Sequence, residues 1–283
     1  MTHAANGTEV PFRSRTRPCN DAVTMSIELR RSLRVAWTLV SLGSVLIAVF
    51  AVSALPMLLL LRRLWNAEYS HDLSRLLVVA AAALPAYAMF ALVLMVLSAI
   101  STRLTGWQTR PDLTLRIRDL DPALLNWVRS MVFLHIVRVL AASLFRATPL
   151  WSLYLRLNGA RIGRRVFVNS LAVTDHNLLD FGDDVIIGDG AHIAGHTVED
   201  GLLKTARLRL GRGVTVGIAS VVGIGVEAGP GCRVGALSVV PKFAKLEAGA
   251  TYVGAPARKV ASRRHEPSPI GPAKRIRART VAL

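Results

Sequence analysis

The chain has 283 residues, of which 52% are hydrophobic and 19% are charged, and its mean hydropathy is +0.42. This composition is too apolar for an ordinary soluble protein and predicts membrane segments. The formal net charge of +17 predicts an anionic partner. Because two long apolar runs are present, an acidic bilayer surface suits that charge better than a nucleic acid. The two cysteines, Cys19 and Cys232, indicate neither a disulfide framework nor a zinc site, which is typical of a reducing cytosol.

Two uncharged runs follow a polar N-terminal segment. Residues 1–34 are basic and are predicted to be disordered until about Met25. Residues 35–61 and 76–102 each form a run of 27 residues without a charge. At ~1.5 Å per residue, a helix of that length reaches roughly 40 Å, which exceeds a ~30 Å hydrocarbon core. We therefore expect a transmembrane hairpin of two helices over residues 35–102. A signal peptide is the alternative for the first run, but the run is too long and a second one follows.

The charges that flank the two runs predict their orientation. Six arginines precede the first run, and four more follow the second between residues 103 and 118. The connector, residues 62–75, mixes three arginines with Glu68 and Asp72. The positive-inside rule places both ends in the cytoplasm, which predicts a multi-pass protein of the cytoplasmic membrane.

Residues 103–159 are predicted to form a linker with two shorter helices. The pair Asp121-Pro122 is typical of a helix start. The apolar stretch that follows, residues 122–146, is interrupted by Arg129, His135 and Arg138. We therefore expect an interfacial helix, or one that packs against the next domain, rather than a third span.

A second linker helix is predicted between Thr148-Pro149 and Gly159. Its apolar face is expected to comprise Leu150, Leu153, Tyr154 and Leu157. Such a helix would cap the first coil of the domain that follows.

A six-residue repeat dominates the C-terminal half. Every sixth position is aliphatic, alanine or tyrosine: Leu210, Val216, Val222, Ala228, Val234, Val240, Leu246 and Tyr252. The next position is mostly glycine: Gly211, Gly217, Gly223, Gly229 and Gly235. The fifth position is small or β-branched: Val214, Ser220, Val226, Cys232, Ser238, Ala244, Ala250 and Pro256. The same hexads occur upstream in other frames, interrupted by a seven-residue shift at 174–180 and an eleven-residue insertion at 199–209.

A period of six predicts a left-handed parallel β-helix, a hexapeptide-repeat solenoid over residues 160–260. Each hexad forms one flat side of a triangular coil, and three hexads make a turn. The aliphatic and fifth positions point inward, and successive turns stack at the ~4.8 Å spacing of adjacent strands. Glycine is expected at the corner, where the backbone needs positive φ or close approach. A glycine- and valine-rich sandwich is the alternative, but it would not keep a period of six over 48 residues.

The repeat resembles the bacterial hexapeptide-repeat transferases over about residues 160–260. The run that looks like their closing segment is Gly254-Ala255-Pro256-Ala257-Arg258. The resemblance implies an acyltransferase that uses acetyl-CoA or another acyl donor, forms homotrimers and has active sites between subunits.

A closer resemblance, over about residues 120–260, is to the membrane-anchored C-terminal module of polylysine-synthetase-like nonribosomal peptide synthetases. The matching runs are Thr148-Pro149-Leu150-Trp151, Leu157-Asn158-Gly159-Ala160-Arg161-Ile162-Gly163, and Gly195-His196-Thr197-Val198-Glu199-Asp200 with Lys204. The adenylation and carrier domains of such synthetases have no counterpart in this sequence, so a stand-alone transferase and an accessory protein are both compatible with the resemblance.

Acyl transfer from a thioester requires a base for the acceptor hydroxyl or amine, and histidine is the usual one. His196 is expected to point outward just before the insertion, where Glu199 or Asp200 would orient its ring. His176 is the second choice, because Asp175 beside it makes a dyad conceivable. His192 also points outward, and a surface position without a role is the better interpretation of it.

Coenzyme A is expected at the C-terminal coils, on backbone amides and on cations that bind its phosphates. The residues predicted to bind it are Lys242, Gly254, Ala257 and Arg258. The basic tail, residues 261–283, is predicted to be disordered and to contact anionic lipid rather than nucleic acid.

The sequence leaves two other functions open. The solenoid could be a non-catalytic scaffold or an accessory module of a nonribosomal peptide synthetase system, because a fold alone does not specify chemistry. A γ-carbonic-anhydrase-like enzyme would need three converging histidines. His176, His192 and His196 provide the number but not that family's spacing, so no metal site is predicted.

Overall fold

A computed structural model describes residues 19–260, with side chains from residue 28 onward. Residues 1–18 of the predicted disordered leader and the whole predicted tail, 261–283, lie outside the described residues. The first helix begins at Cys19, before the predicted end of disorder near Met25. The boundary predicted at residue 34 therefore falls inside a helix.

Two long apolar helices pack together at the N-terminal end, which confirms the predicted helical hairpin. Their shared core includes an edge-to-face contact between Phe50 and Phe90, with ring centroids 5.3 Å apart. The helices of the chain are α1 (Cys19–Trp65), α2 (Asp72–Leu104), α3 (Pro122–Val137), α4 (Ser143–Phe145) and α5 (Pro149–Leu157), and a π-helical turn, Arg138–Ala142, joins α3 to α4.

Helix α3 packs against α1 and α2, and its Trp127 contacts His196, in keeping with the predicted alternative of a helix that packs against the next domain. Asp121 caps it as predicted, accepting a hydrogen bond from the Ala123 amide at 2.7 Å. The helical stretch Pro122–Phe145 is long and apolar enough to cross a membrane, as are Glu28–Trp65 and Asp72–Leu104. The interrupting charge of Arg129 is buried against α1, where it donates to the Ser41 hydroxyl at 3.0 Å. Because α1 solvates this guanidinium, the arginine does not prevent α3 from packing among apolar helices.

The C-terminal half is a solenoid of short parallel strands. Its strands are β2 (Arg161–Ile162), β3 (Phe167–Val168), β4 (Leu179–Phe181), β5 (Ile186–Ile187), β6 (His192–Ile193), β9 (Leu208–Leu210), β10 (Thr215–Val216), β11 (Val221–Val222), β12 (Glu227–Ala228), β13 (Arg233–Val234), β14 (Val239–Val240), β15 (Lys245–Leu246), β16 (Thr251–Val253) and β17 (Arg258–Val260). Three further strands, β1 (Thr114–Arg116), β7 (His196–Glu199) and β8 (Leu202–Thr205), lie outside the coils.

Strand pairing confirms three hexads per turn. Val216 pairs with Val234 and Val222 with Val240, so in the regular part of the repeat each strand lies beside the one eighteen residues later. The first face contains β2, β4, β9, β12 and β15; the second contains β3, β5, β10, β13 and β16, with β17 antiparallel at its edge; the third contains β6, β11 and β14. The predicted aliphatic column points inward, and each of its residues from 210 to 252 is at most 8% exposed. The predicted left-handed parallel β-helix is therefore the observed fold.

The fifth position of each hexad also points inward along most of the solenoid. Val214, Ser220, Val226, Cys232 and Ser238 are fully buried. The last position, Pro256, is exposed, because the chain there leaves the coil for β17.

The corner glycines serve close approach rather than positive φ. A Cβ atom at residue 229 would lie 2.7 Å from the backbone nitrogen of Ala248 in the next coil. The left-handed residue of that corner is Gly231, two positions later, with φ of +70°. The repeated glycine is therefore required because the coils stack closely there.

We expect Gly229→Ala to destabilise the protein by about 1–3 kcal/mol, because the new methyl group must push apart two backbone segments. Chemical denaturation of the purified protein would measure this. Gly43→Ala is the matched control: that glycine lies in α1 with nothing within 4 Å of its would-be Cβ. The control should be neutral or slightly stabilising, and equal losses in both variants would contradict the packing argument.

The capping helix α5 buries Tyr154 and packs Leu157 against the core as predicted, but not Leu150 and Leu153. Trp151, Tyr154 and Leu155 are buried, whereas Leu150 and Leu153 are 40% and 47% exposed. The indole of Trp151 donates to the carbonyl oxygen of Ser170 at 3.1 Å, inside the first coil. Helix α5 therefore caps the solenoid as expected, but through an aromatic face.

The insertion after β6 is a β-hairpin. Strands β7 and β8 pair antiparallel, and Asp200 and Gly201 form the turn with φ of 51° and 70°. Two left-handed residues are what a two-residue hairpin turn requires. Strand β1 of the linker pairs with β8 and completes a three-stranded sheet. The linker from the apolar helices α1 and α2 is thereby fixed to the hairpin beside the solenoid.

Candidate active site

His196 and Asp175 form a hydrogen-bonded pair where the first coils meet the helices. The His196 Nδ1 atom lies 2.5 Å from Asp175 Oδ2. The carboxylate is completely buried, and it also accepts from the Gly195 amide at 3.1 Å and from the Thr109 hydroxyl at 3.0 Å. Several donors thus hold the Asp175 carboxylate in one orientation, and the carboxylate in turn holds the histidine ring.

Local backbone features bring these two residues together. Asp175 adopts a left-handed conformation, with φ of 50° and ψ of 51°, where a short 3-10 turn begins at His176. Aspartate tolerates this region better than most residues. A side chain at residue 195 would collide with Asp175, since a Cβ there would lie 2.9 Å from the Asp175 Cβ. Gly195 is therefore needed for the carboxylate to approach.

The His196 ring presents its other nitrogen outward. The side chain is 22% exposed, and Trp127 of α3 contacts the ring edge-on with centroids 4.9 Å apart. No hydrogen bond to Nε2 is found among the residues whose side chains are described, 28–260. A carboxylate at Nδ1 selects the tautomer with its proton there, which leaves the Nε2 lone pair free to accept a proton.

His176 is not placed for the same chemistry. Its ring is buried between the aromatic rings of Trp151 and Tyr154, with Nε2 3.1 Å from the Val173 carbonyl oxygen. Burial lowers the pKa of His176 to about 4. Although Asp175 precedes it in sequence, the carboxylate hydrogen-bonds to His196 instead.

The buried, neutral His176 predicts acid sensitivity. In the unfolded chain the pKa of this histidine is near ~6.5. Above that pH the ring is neutral in both states, and the folded protein has its full unfolding free energy. As the pH falls towards 4 the unfolded chain binds a proton that the folded protein does not, so the unfolding free energy decreases by up to about 3 kcal/mol. Unfolding free energies of the purified protein at pH 7 and pH 4.5 would measure the loss. We expect His176→Phe, which keeps the aromatic packing, to show a smaller difference between the two pH values. An unchanged difference would contradict the assignment.

Glu199 and Asp200 do not orient the His196 ring. Glu199 lies three residues along β7, so its side chain projects from the opposite face of the strand. It pairs with Lys204 at 2.8 Å and also with Lys242 at the corner after β14. These two cations lower the pKa of Glu199 to about 2. Asp200 lies in the hairpin turn, so both acidic residues belong to the hairpin and its attachment to the solenoid.

Two of the four predicted coenzyme-binding residues, Gly254 and Ala257, continue the third face below β14. The Val239 amide donates to the Gly254 carbonyl oxygen at 2.9 Å, and the Ala257 amide donates to the Val239 carbonyl oxygen at 2.7 Å. Arg258 follows in β17 and is exposed. His192, Val221 and Val239 line the third face above them. Gly254 and Ala257 thus lie next to β14 on the third face, whose first strand holds His192, whereas Arg258 lies in β17 at the edge of the second face.

Comparisons with known proteins add one relative and several distant structures. No protein-family model matches the chain. The chain is 26% identical over 112 residues to delta-poly-L-ornithine synthetase of Acinetobacter baumannii (strain AB307-0294), a match that covers 40% of this chain and spans only 8% of that protein. A maltose O-acetyltransferase from Clostridium difficile 630 is 16% identical, with a TM-score of 0.37, over 53% of this chain and 91% of that one. A mutant of the N-acyltransferase AntD from Bacillus cereus, in complex with dTDP and coenzyme A, is 24% identical, with a TM-score of 0.28, over 31% of this chain and 53% of that one.

The solenoid has the left-handed parallel β-helix fold of hexapeptide-repeat proteins. Its eighteen-residue register and buried aliphatic column establish this fold independently of the distant matches. Among the residues around His196, Trp127 and Thr109 were not considered in the sequence reasoning, and Asp175 was considered only as a partner of His176. A register signal could have identified Asp175. A regular turn has eighteen residues, and the seven-residue segment 174–180 replaces one hexad and lengthens the turn there. Residue 175 therefore lies close to residues 194–196, one turn later.

A three-histidine metal site is not formed in the described part of the chain. Among residues 28–260, no group of three or more His, Cys, Asp or Glu side chains converges to hold an ion. The buried His176 ring is committed to Val173 and to its aromatic neighbours. The donor set of the γ-carbonic-anhydrase alternative is therefore not assembled within this part.

Proposed function

We propose that the chain is a membrane-anchored acyltransferase that moves an acetyl or other acyl group from acyl-CoA to a hydroxyl or amine. The observation that carries this proposal is the pair of His196 and buried Asp175 on a hexapeptide-repeat solenoid, with Nε2 facing outward. Such a pair supplies a base that keeps one tautomer and one orientation.

In the proposed reaction, His196 Nε2 accepts the proton of the acceptor hydroxyl or amine. The freed oxygen or nitrogen attacks the thioester carbonyl carbon and forms a tetrahedral intermediate. The carbon–sulfur bond then breaks, and the leaving thiolate takes the proton back from His196 to give free coenzyme A. Asp175 does not change its charge; it stabilises the imidazolium that exists between the two proton transfers.

The third face provides a path for the acyl donor. From His192 through Val221 and Val239 to Ala257 there are three strand spacings, about 14 Å in all. An extended pantetheine arm could run along these rows, with its amides against the backbone. Arg258 would then lie near the phosphates, and Lys242, tied to Glu199, would border the same end.

Oligomer and membrane placement are also part of the proposal. The third face exposes Val221 and Val239, and the neighbouring corner exposes Phe243. A second copy of the chain packed there would close the cleft, in keeping with a homotrimer that has sites between subunits. The basic flanks would keep both ends of the helical hairpin in the cytoplasm, where acyl-CoA is available.

The similarity to part of a polyornithine synthetase favours a second candidate function. In that case the solenoid would serve a nonribosomal peptide synthetase system as an accessory module without its own chemistry. Purification with a synthetase, together with inertness towards every acyl donor, would favour this candidate over the first.

The test is turnover of acyl-CoA by the full-length protein in nanodiscs. Thiol release from acetyl-CoA and longer acyl-CoA esters can be followed with a disulfide reagent, because the chain has only two cysteines and Cys232 is buried. Coenzyme A at a hundredfold excess over its Kd should raise the unfolding free energy by about 2.7 kcal/mol. Absence of both turnover and stabilisation with every donor would contradict the proposal.

A further inference from the structure

An apolar groove opens beside His196. It has a volume of about 430 Å³, and its wall is one face of α3, formed by Val128, Met131, Val132 and Ile136. Trp127, which contacts the His196 ring, stands at one end, and Thr174, next to Asp175, borders it from the solenoid side. A molecule in this groove would therefore have one part close to the proposed base.

The same apolar surface continues towards the helical hairpin. A second groove, of about 360 Å³, lies between α1, α2 and α3 and is bordered only by apolar side chains, among them Phe50, Leu94 and Phe133. Ile136 lines both grooves. Because α1 and α2 are long and apolar enough to span a bilayer, the second groove would open to lipid, and a route from it to the groove beside His196 would pass Ile136, which lines both.

The groove beside His196 has a cationic edge. Arg138 lies in it, with Nη2 3.0 Å from His135 Nδ1, and no carboxylate pairs with this arginine among residues 28–260. The pKa of His192 is lowered, first by burial and then by the nearby His196 and Arg138. An unpaired guanidinium at the edge of an apolar groove matches a ligand with an anionic head and an aliphatic chain.

We infer that the acyl acceptor is an anionic membrane lipid whose phosphate binds Arg138 and whose chain lies over Val132 and Ile136. This inference rests on the proposed function, because it identifies the molecule whose hydroxyl or amine meets His196. Acyl-CoA would approach along the third face and the lipid along α3, so the two substrates reach His196 from different sides. A water-soluble acceptor would leave the route into the bilayer without a use.

The experiment is photolabelling of the full-length protein in phosphatidylcholine nanodiscs. The probe is phosphatidic acid with a diazirine on one acyl chain, compared with diacylglycerol that carries the same chain. Label on residues 128–136 is normalised to label on the exposed Leu55 of α1. We expect phosphatidic acid to label the groove more strongly than diacylglycerol does.

Two variants test the contacts of the lipid head group and of the lipid acyl chain separately. Arg138→Gln should lower groove labelling by phosphatidic acid about tenfold, the effect of one charge-assisted contact, and should leave diacylglycerol labelling unchanged. Ile136→Trp should lower labelling by both probes, because it fills the groove. The matched controls are Arg118→Gln, an exposed arginine, and Val139→Trp, 60% exposed on α3's continuation outside the groove; neither should change the labelling.

The outcomes that overturn the inference are distinct from failure of the proposed function. Equal labelling by both probes, with no effect of Arg138→Gln, would overturn the anionic head. Groove labelling by a photoreactive long-chain acyl-CoA that excess phosphatidic acid does not displace would assign the groove to the donor instead. In either case thiol release from acetyl-CoA would persist in the wild-type protein, whereas failure of the proposed function would abolish that release and leave lipid labelling intact.

Discussion

Replacing His196 with alanine is expected to lower acyl-CoA turnover by about 10²–10⁴-fold, the contribution of a well-positioned general base. The ring is partly exposed and makes no hydrogen bond at Nε2 among the described residues, so its loss should affect chemistry more than folding. The measurement is thiol release at saturating acetyl-CoA, alongside thermal unfolding. His71→Ala, at the N-terminal end of α2, is the control for an indifferent histidine.

Asp175→Asn tests whether Asp175 sets the tautomer of the His196 ring. An amide nitrogen facing Nδ1 would favour the ring that carries its proton on Nε2, which cannot act as a base. We expect a loss close to that of His196→Ala and little added loss in the double variant. Thr109→Ala, which removes one donor to the carboxylate without changing the tautomer, should cost only a few-fold. If Asp175→Asn kept full turnover while His196→Ala lost it, Asp175 would be a structural residue.

Trp151→Ala should be among the most destabilising substitutions in the chain, by about 3–5 kcal/mol, because a fully buried large aromatic side chain is removed. The indole fills the space between α5 and the first coil, stacks on Tyr154 at 5.3 Å and donates to Ser170. Chemical denaturation of the full-length protein measures the effect.

Two companion variants sharpen this test. Trp151→Phe keeps most of the apolar contact and loses one hydrogen bond, so it should cost about 1 kcal/mol beyond the difference in size. Leu150→Ala, on the exposed face of α5, should cost much less than Trp151→Ala. A larger loss for Leu150→Ala than for Trp151→Ala would mean that α5 caps the solenoid through the other face.

The solenoid was predictable because its signal is repeated. Each turn must place an apolar side chain inside at the same three positions, so eight successive hexads specify one structure. The face of α5 was not predictable in this way. Nearly every position of that nine-residue helix is apolar, and only the shape of the first coil decides that Trp151 rather than Leu150 turns inward.

The candidate site shows the same limit. His196 was identified from its place before the insertion, but its partner was not, because the proximity of Asp175 depends on a left-handed residue and a missing side chain at Gly195. Sequence proximity instead suggested Glu199. Because successive side chains of β7 point to opposite faces, Glu199 points away from His196. The packing of α3 against α1 was not predictable, because burial of Arg129 requires the hydroxyl groups of Thr38 and Ser41, 91 and 88 residues earlier, that no local pattern reveals.

The linker strand β1 has a consequence for any attempt to isolate the solenoid. It covers the outer edge of β8, and the loop before it delivers the Thr109 hydroxyl to Asp175. A water-soluble fragment that began after residue 120 would expose an unpaired strand edge, a known route to aggregation. It would also remove the Thr109 hydroxyl, which donates a hydrogen bond to the Asp175 carboxylate. The linker between the apolar helices and the solenoid is thus part of the support of His196, and a different linker would disturb the histidine through Asp175.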